Sequence, residues 1–582
     1  MEKIVAIIYA LSVTVDIALF FRIKKSEKRL PAVSFLFISI FIFFCYQTVV
    51  AALLSIFHIT VSNLSISIVN WIVGLVMYYL IKYRNYIQKY ICDKKDCLAI
   101  LVLVISVLII SGIQFGWHFN MYNYECLWDS SVHVQYARKM AQDHELNTLY
   151  FVALNMGLWL ESLYAFDPFA TGCTMFIWSD IITLFMSAVM FWNLVKNHIC
   201  SKYLYIIGII ISIAYIYGYP LNNMVFGTSY LGVGNVCVLY LLMLMEMHKD
   251  EKLLPKPFFT MIIAGVFGLI VSYILFAPVI LLTIFCYLVS HYYKNGILTR
   301  KVVTIGAIIS ILIVIIGIVC FYIFYWDSMS GLALEGQIYR NFFSNFVIFL
   351  PFILMLWNKK NIKENITIFA SSTLIYVLIF MCGIFLKKIS GYYYFKNYYL
   401  LWIVCCYSVI FVISKYEEYR GFINRYLLSC FFLFMLWKMD VSTILSQSTD
   451  GYYGEVFGEV STDNLFDIYN FNINAAKHVV VEPGTREIFL EVASMNRYID
   501  GDVCFVGDCR FALQKQFAAI ANQPDIDYFV ASNSEEYIQI IKDNSQYVCV
   551  VDPDLAPFDI NEYLSTLEVI YTNSKGYIAK VK

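Results

Sequence analysis

Long apolar runs with short polar breaks fill the first three quarters of the chain. A run of about twenty residues, coiled as a helix, matches the hydrocarbon thickness of a bilayer. The runs predict spans near 3–22, 31–57, 60–81, 98–116, 172–195, 203–219, 228–247, 257–273, 275–292, 302–325, 342–358, 366–386, 397–414 and 426–445. The expected fold class is an α-helical polytopic membrane protein of about fourteen transmembrane helices followed by a small C-terminal α/β domain. The 257–292 stretch, interrupted only between Ser272 and Pro278, fits either one hairpin or one long helix.

After about residue 446 the chain turns polar, which divides it into a membrane domain, 1–445, and a C-terminal domain, 446–582. SQSTDGYYGEVFGEVSTDN reads as a tether or loop. Beyond it, helical and strand patterns alternate. Helices are expected at 487–498, 511–520 and 534–543, the last opened by the cap-like Asn533-Ser534-Glu535-Glu536. Strands are expected at 503–506, 528–530, 547–551 and 576–581, and their alternation with helices implies a small α/β sheet. The domain has no GxGxxG and no P-loop, so nothing marks a nucleotide site. It reads as a structural or acceptor-recognition appendage.

Composition supports lipid as the main solvent. The 582 residues are 60% hydrophobic and only 14% charged, against about half and a quarter in ordinary soluble domains. A formal net charge of −1 argues against nucleic-acid binding, which needs a basic surplus. Most of the sixteen cysteines sit in apolar runs, and none has zinc-ligand spacing. Cys504 and Cys509 are either a disulfide pair or two buried thiols. The apolar N-terminus lacks a small-residue cleavage site and reads as the first span.

The charges order the spans. Basic loops at Arg22–Arg29, Lys82–Lys95, Lys196–Lys202, His248–Lys256, Lys294–Lys301, Lys359–Lys363 and Lys415–Arg425 follow every second span. The positive-inside rule puts all of them in the cytosol of a cell membrane protein. The N-terminus, the loops near 117–171, 326–341 and 387–396, and the C-terminal domain are then extracytoplasmic. Lys387-Lys388 is the one basic pair on the wrong side of this scheme.

The candidate chemistry lies in the 117–171 loop. Trp128-Asp129-Ser130-Ser131 leads into a helical pattern with Val132, Tyr136 and Met140 on one face. Asp129 and His133 are one turn apart and can meet. Asp129 is also a good N-cap, and the two roles are compatible.

An Asp followed four residues later by His and then Tyr-Ala-Arg, in a loop after an early span, resembles the first outer loop of GT-C-fold glycosyltransferases. YGYPLNNMVFGTSYLGVGN (217–235), EGQIYRNFFSNFVIFLPF (335–352) and GYYYFKNYYLLW (391–402) extend the resemblance in layout over about 98–445. It implies an enzyme that moves a sugar from a polyprenyl-phosphate donor to an extracytoplasmic glycan or lipid-linked acceptor, with inversion. Its partners are the lipid-linked donor, the acceptor and membrane lipids. The resemblance makes Asp129 the catalytic base. His133 orients it or binds acceptor, and Arg340 and Lys396 neutralise the leaving phosphate. Tyr393 and Tyr394, beside Tyr392, are placed to stack on sugar, although interfacial tyrosines are common without a ligand. Asp180, near the outer end of the fifth span, and Glu335 are further substrate-binding candidates. Asp129 stands without a DxD motif, so a divalent metal lacks support and no cofactor is expected. Gly232 and Gly234 suit close helix packing or a kink.

Two other classes fit the same layout. A transporter or flippase of lipid-linked sugars should show internal repeats and broken mid-membrane helices, and no convincing repeat is seen. A non-catalytic envelope-assembly protein would use the C-terminal domain to bind partners.

Overall fold

A computed structural model describes residues 1–117, 119, 128–144, 146, 151–170, 172–294, 345–358, 361–386, 391–415, 468–469, 472, 482–499, 501–507, 513–523 and 531–581. Helices α1 (Glu2–Arg22), α2 (Ala32–Ile56), α3 (Asn63–Arg84) and α4 (Lys94–Phe115) come first along the chain. Two helices of the 117–171 loop follow, α5 (Trp128–Asp143) and α6 (Phe151–Tyr164). Next come α7 (Gly172–Val195), α8 (Lys202–Tyr217), the short α9 (Tyr219–Phe226), α10 (Ser229–Lys249), α11 (Pro255–Tyr273) and α12 (Ala277–Lys294). The membrane domain closes, as far as it is described, with α13 (Leu350–Leu356), α14 (Asn365–Phe385), α15 (Gly391–Lys396) and α16 (Tyr398–Ser414).

Among the described residues, ten helical stretches are long and apolar enough to cross a membrane. The protein is thus a helical, multi-pass membrane protein. Its solvent is legible on α1 and α3, where Ile4, Ile7 and Leu11, and Leu64, Ile68, Ile72 and Leu75, form exposed apolar stripes at helical spacing. By contrast, 94% of the apolar window of α10 is buried, which makes α10 the spine of the bundle.

Local capping sets several helix starts. Ser62 and Ser65 form a reciprocal capping box on α3. Asp93 accepts from the Lys95 N–H at 3.0 Å to open α4, and Ser201 accepts from the Leu204 N–H at 3.1 Å to open α8.

The longest apolar stretch, Pro255–Tyr292, is a hairpin of α11 and α12. The Phe258 and Tyr287 rings lie 6.2 Å apart, and Phe259 stacks on Tyr292 at 6.4 Å. In one straight helix, residues 258 and 287 would stand about 43 Å apart. The 3₁₀ turn Ile274–Phe276 forms the tip. Of the expected span 342–358, the described part carries the apolar helical stretch Val347–Leu356, with Pro351 in the first turn of α13. The expected spans 302–325 and 426–445 lie outside the described residues.

Five of the basic loops meet on one face. Lys28 donates to the Asp250 carbonyl at 3.0 Å, Lys196 pairs with Asp96 at 2.7 Å, and Lys252 donates to Asn197 at 3.2 Å. Lys249 pairs with Glu364, beside the 359–363 loop. A two-residue parallel pairing, β1 (Leu30–Pro31) with β2 (Tyr90–Ile91), ties the first two loops together. This basic face is opposite the hairpin tip and the α5–α6 loop.

The C-terminal domain contains α17 (Pro483–Met495), β3 (Val503–Val506), α18 (Leu513–Ile520), α19 (Ser534–Asn544), β4 (Tyr547–Val551), β5 (Glu568–Thr572) and β6 (Gly576–Lys580). The sheet order is β3-β4-β6-β5, with β3 and β4 parallel and the other pairs antiparallel. Both faces are covered. Phe489 and Phe517 pack on Phe505, at 5.8 and 5.5 Å. Cys504 and Val506, on the other face, share a core with Tyr537 and Ile541 of α19. Burial on both faces explains why Val503-Cys-Phe-Val506 reads as a continuous apolar run. Strand β5 was missed because it is an edge strand with Val569 and Ile570 exposed, so its pattern lacks a buried face. The expected strand 528–530 and Cys509 lie outside the described residues.

Candidate functional site

Three elements converge on the face opposite the basic loops. Helix α5 opens at Trp128, which places Asp129 in its first turn; the side chains of Trp128 and Asp129 lie outside the described residues. Ser130 anchors this turn by donating to the Gly227 carbonyl at 2.8 Å, at the α9–α10 junction. One turn on, His133 is 6% exposed, a buried residue and not a solvated one. Its ring stacks on Phe176 of α7 at 6.3 Å and lies 5.2 Å from Tyr230 of α10.

Asp180 lies one turn beyond Phe176 on α7 and is 4% exposed. It accepts a hydrogen bond from the Ser229 hydroxyl at the first turn of α10. An acid here benefits from the positive end of the α10 dipole. Asp180, Thr183, Ser187, Asn223, Ser229 and Gly232 line a small cavity with room for about one water molecule. Asn223 accepts from the Thr228 hydroxyl at 3.1 Å, while its buried Nδ2 has no hydrogen-bond partner among the described residues. Leu184, Pro220 and Met224 complete a largely apolar lining of the cavity, within which these polar groups are able to take a hydroxyl. Gly232 keeps it open, since a Cβ there would stand 3.2 Å from Thr183 Cγ2 and 3.8 Å from Asn223 Nδ2. At Gly234 a Cβ would meet Tyr273 at 2.6 Å, so that glycine serves close helix packing, as its spacing suggested.

Lys396 sits on the other side of α9. It ends α15 and is 4% exposed. Around it, Tyr219 of α9 packs on Phe395, Tyr399 and Trp402, and Tyr399 donates to Asn222 at 2.6 Å. Tyr394 is fully buried against Tyr398, with ring centres 5.4 Å apart, and Tyr393 is half-buried. Helix α9 thus lines the Asp180 cavity with Pro220, Asn223 and Met224 and the aromatic nest next to Lys396 with Tyr219. Asn222 faces one side and Asn223 the other. Arg340 and Glu335 lie outside the described residues.

The C-terminal domain covers this face. Arg138 of α5 donates to the carbonyls of Asn522 and Gln523, at 3.4 and 3.1 Å, just past the end of α18. Arg497 pairs with Asp167 at 2.9 Å. Within 468–472, Asn472 donates to the Tyr217 and Gly218 carbonyls, at 2.8 and 2.7 Å, where α8 breaks into α9. Tyr469 packs on Trp402 at 5.8 Å.

Sequence reasoning reached His133 and Asp180 but not Asn222, Asn223, Ser229 or Tyr230. The available signal was the amide and hydroxyl density of Tyr219-Pro-Leu-Asn-Asn-Met-Val-Phe-Gly-Thr-Ser-Tyr230, unusual between two apolar helices. Among the described residues no three His, Cys, Asp or Glu side chains gather as metal ligands. No protein-family model matches the chain, and no curated protein matches it either.

Proposed function

We propose that the protein is a membrane glycosyltransferase that moves a sugar from a polyprenyl-phosphate donor to an extracytoplasmic acceptor. The observation that carries this reading is the wedging of α5, with Asp129 in its first turn, against α7 and the α9–α10 junction, where His133 is buried on Phe176 and Asp180 is buried one turn further along α7. The positive-inside rule puts this face outside the cytosol, since it lies opposite the basic loops. There the C-terminal domain is extracytoplasmic and positioned to admit an acceptor.

Nucleotide sugars stay in the cytosol, so a donor used outside must be membrane-borne. Asp129 takes the proton from the acceptor hydroxyl as it attacks the anomeric carbon. The lipid phosphate leaves from the opposite side, which inverts the centre. Lys396 and Arg340 neutralise the developing phosphate charge, so that step needs no general acid. His133 orients Asp129 or the acceptor. Asp180 and Asn223 hold a hydroxyl of the sugar. The resemblance to GT-C glycosyltransferases agrees with this arrangement.

The test is Asp129→Asn in full-length protein, assayed by surface and lipid-linked glycans in a deletion strain. Transfer is lost while membrane insertion and thermal stability stay normal. Full activity in this variant removes Asp129 from the base role. Lys396→Ala should raise the donor KM, and unchanged donor kinetics would refute phosphate binding there.

A further inference from the structure

We propose that Cys92 and Cys97 form a redox-active dithiol on the basic face, a modification site that closes to an internal disulfide. The two Sγ atoms are 3.4 Å apart. Cys92 is exposed and Cys97 partly exposed, whereas Cys45, Cys237, Cys405 and Cys406 are buried in the helix bundle. The pair thus combines contact distance with reagent access.

The surrounding backbone holds the pair together. Cys92 directly follows β2, which is paired to β1. Cys97 lies in the first turn of α4, where its N–H donates to the Asp93 carbonyl at 3.0 Å and Asp93 caps the helix. That turn is fixed to its neighbours by the Lys196–Asp96 pair at 2.7 Å and by Tyr205, which donates to the Lys95 carbonyl at 2.7 Å. A disulfide needs an S–S distance of about 2.05 Å, so closure requires an approach of only about 1.4 Å.

The reaction balances with a small-molecule disulfide as oxidant. The Cys92 thiolate attacks the oxidant, forming a mixed disulfide and releasing one small thiolate. The Cys97 thiolate then displaces the second small thiolate and leaves the Cys92–Cys97 bond. The oxidant gains two electrons, and the two cysteine protons pass to the released thiolates. Closure covalently links β2, and through it the α1–α2 loop, to the start of α4. This proposal stands apart from the sugar-transfer reading.

The experiment treats full-length protein in membranes with oxidised glutathione, blocks remaining thiols with maleimide, and maps the peptides by mass spectrometry. Cys200, exposed at a neighbouring loop, is the internal control for a thiol acting alone. The expected product is a 92–97 peptide lighter by two hydrogens and restored by dithiothreitol, with Cys200 carrying glutathione. In Cys92→Ser and Cys97→Ser the remaining thiol should carry glutathione, because no internal partner can displace it. Stable glutathione adducts on both cysteines of the wild type, or no oxidation of either under conditions that modify Cys200, would overturn the proposal.

Discussion

Arg138 and Gln523 are far apart in the chain, yet the guanidinium of one donates to the backbone carbonyl of the other at 3.1 Å. Gln523 is itself a hub: its Oε1 accepts from the Val503 N–H at 2.8 Å and its Nε2 donates to Asn496 Oδ1 at 2.6 Å. The loop helix that begins with Asp129 is therefore held by the same residue that organises the start of β3. Replacing Arg138 with Ala should destabilise this junction by about 1.5–3 kcal/mol, the range for hydrogen bonds from a charged donor. The check is hydrogen exchange across α5 and α18, which should rise while α10 stays protected. Unchanged exchange in α5 would mean that the domain does not hold the loop.

Asn472 carries a second junction. It donates to two carbonyls at the α8–α9 break and accepts from Asn222 Nδ2 at 3.1 Å. In Asn472→Ala the buried Asn222 Nδ2 loses its acceptor and the part-buried Tyr217 carbonyl loses this donor, while the Gly218 carbonyl keeps the Asn222 N–H at 3.1 Å; the cost is about 1–3 kcal/mol for a group that stays dry. A thermal-unfolding comparison should place this variant well below Ala substitutions of exposed polar residues in the C-terminal domain. Under the sugar-transfer reading it also lowers transfer, because α9 is the wall shared by the Asp180 pocket and the Lys396 nest. Wild-type stability and transfer would show that the 468–472 segment is a passive tether.

How much of this was legible in the sequence follows from range. Span positions and the common face of the basic loops depend on local hydropathy and on charge, and Lys28, Lys196 and Lys252 do meet neighbouring loops. The strand Val503–Val506 was legible because both its faces are buried. The hairpin at Ile274–Phe276 was ambiguous, because Pro278 is the one strong break residue between Ser272 and Pro278 and fits either a kink or a new helix start, and the reversal is settled by Phe258 against Tyr287. The partners of His133 and Asp180 were illegible. Phe176, Ser229 and Tyr230 reach them across helix packings that no local pattern encodes. Tyr394, read as a sugar-stacking ring, is turned inward by the helical geometry of Gly391–Lys396.

Glu161 predicts a pH dependence. It lies on α6, which is not one of the membrane-crossing stretches, and it accepts from the Asn63 N–H at 2.9 Å. Burial raises its pKa from 4.5 to about 7, opposed by that N–H, and His144 lies 3.9 Å away. A carboxyl with a raised folded-state pKa destabilises the fold as it ionises. Stability is therefore highest below about pH 4.5 and falls as pH rises to about 7. Glu161→Gln removes the ionisation. The difference in unfolding temperature between the variant and the wild type should shift in favour of the variant between pH 5 and pH 8. A constant difference would show that Glu161 keeps an ordinary pKa.

Gly74 of α3 packs directly against Asp16 of α1. A Cβ at Gly74 would lie 2.7 Å from Asp16 Oδ1 and 3.7 Å from Leu19 Cδ1. Asp16 is 1% exposed, so its carboxyl has no solvent space into which to retreat. One turn away along both helices, Asn70 donates to Ser12 at 3.1 Å, which fixes the register of the pair. Gly74→Ala should therefore push the helices apart and cost about 1–3 kcal/mol, as overpacking of a tight core does. Asp16→Ala alone should also destabilise, by removing packing. The double variant Asp16→Ala, Gly74→Ala should recover part of the combined loss, because the new methyl group then enters the space vacated by the carboxylate. Additive losses in a double-mutant cycle of unfolding free energies would separate the two residues and refute the contact.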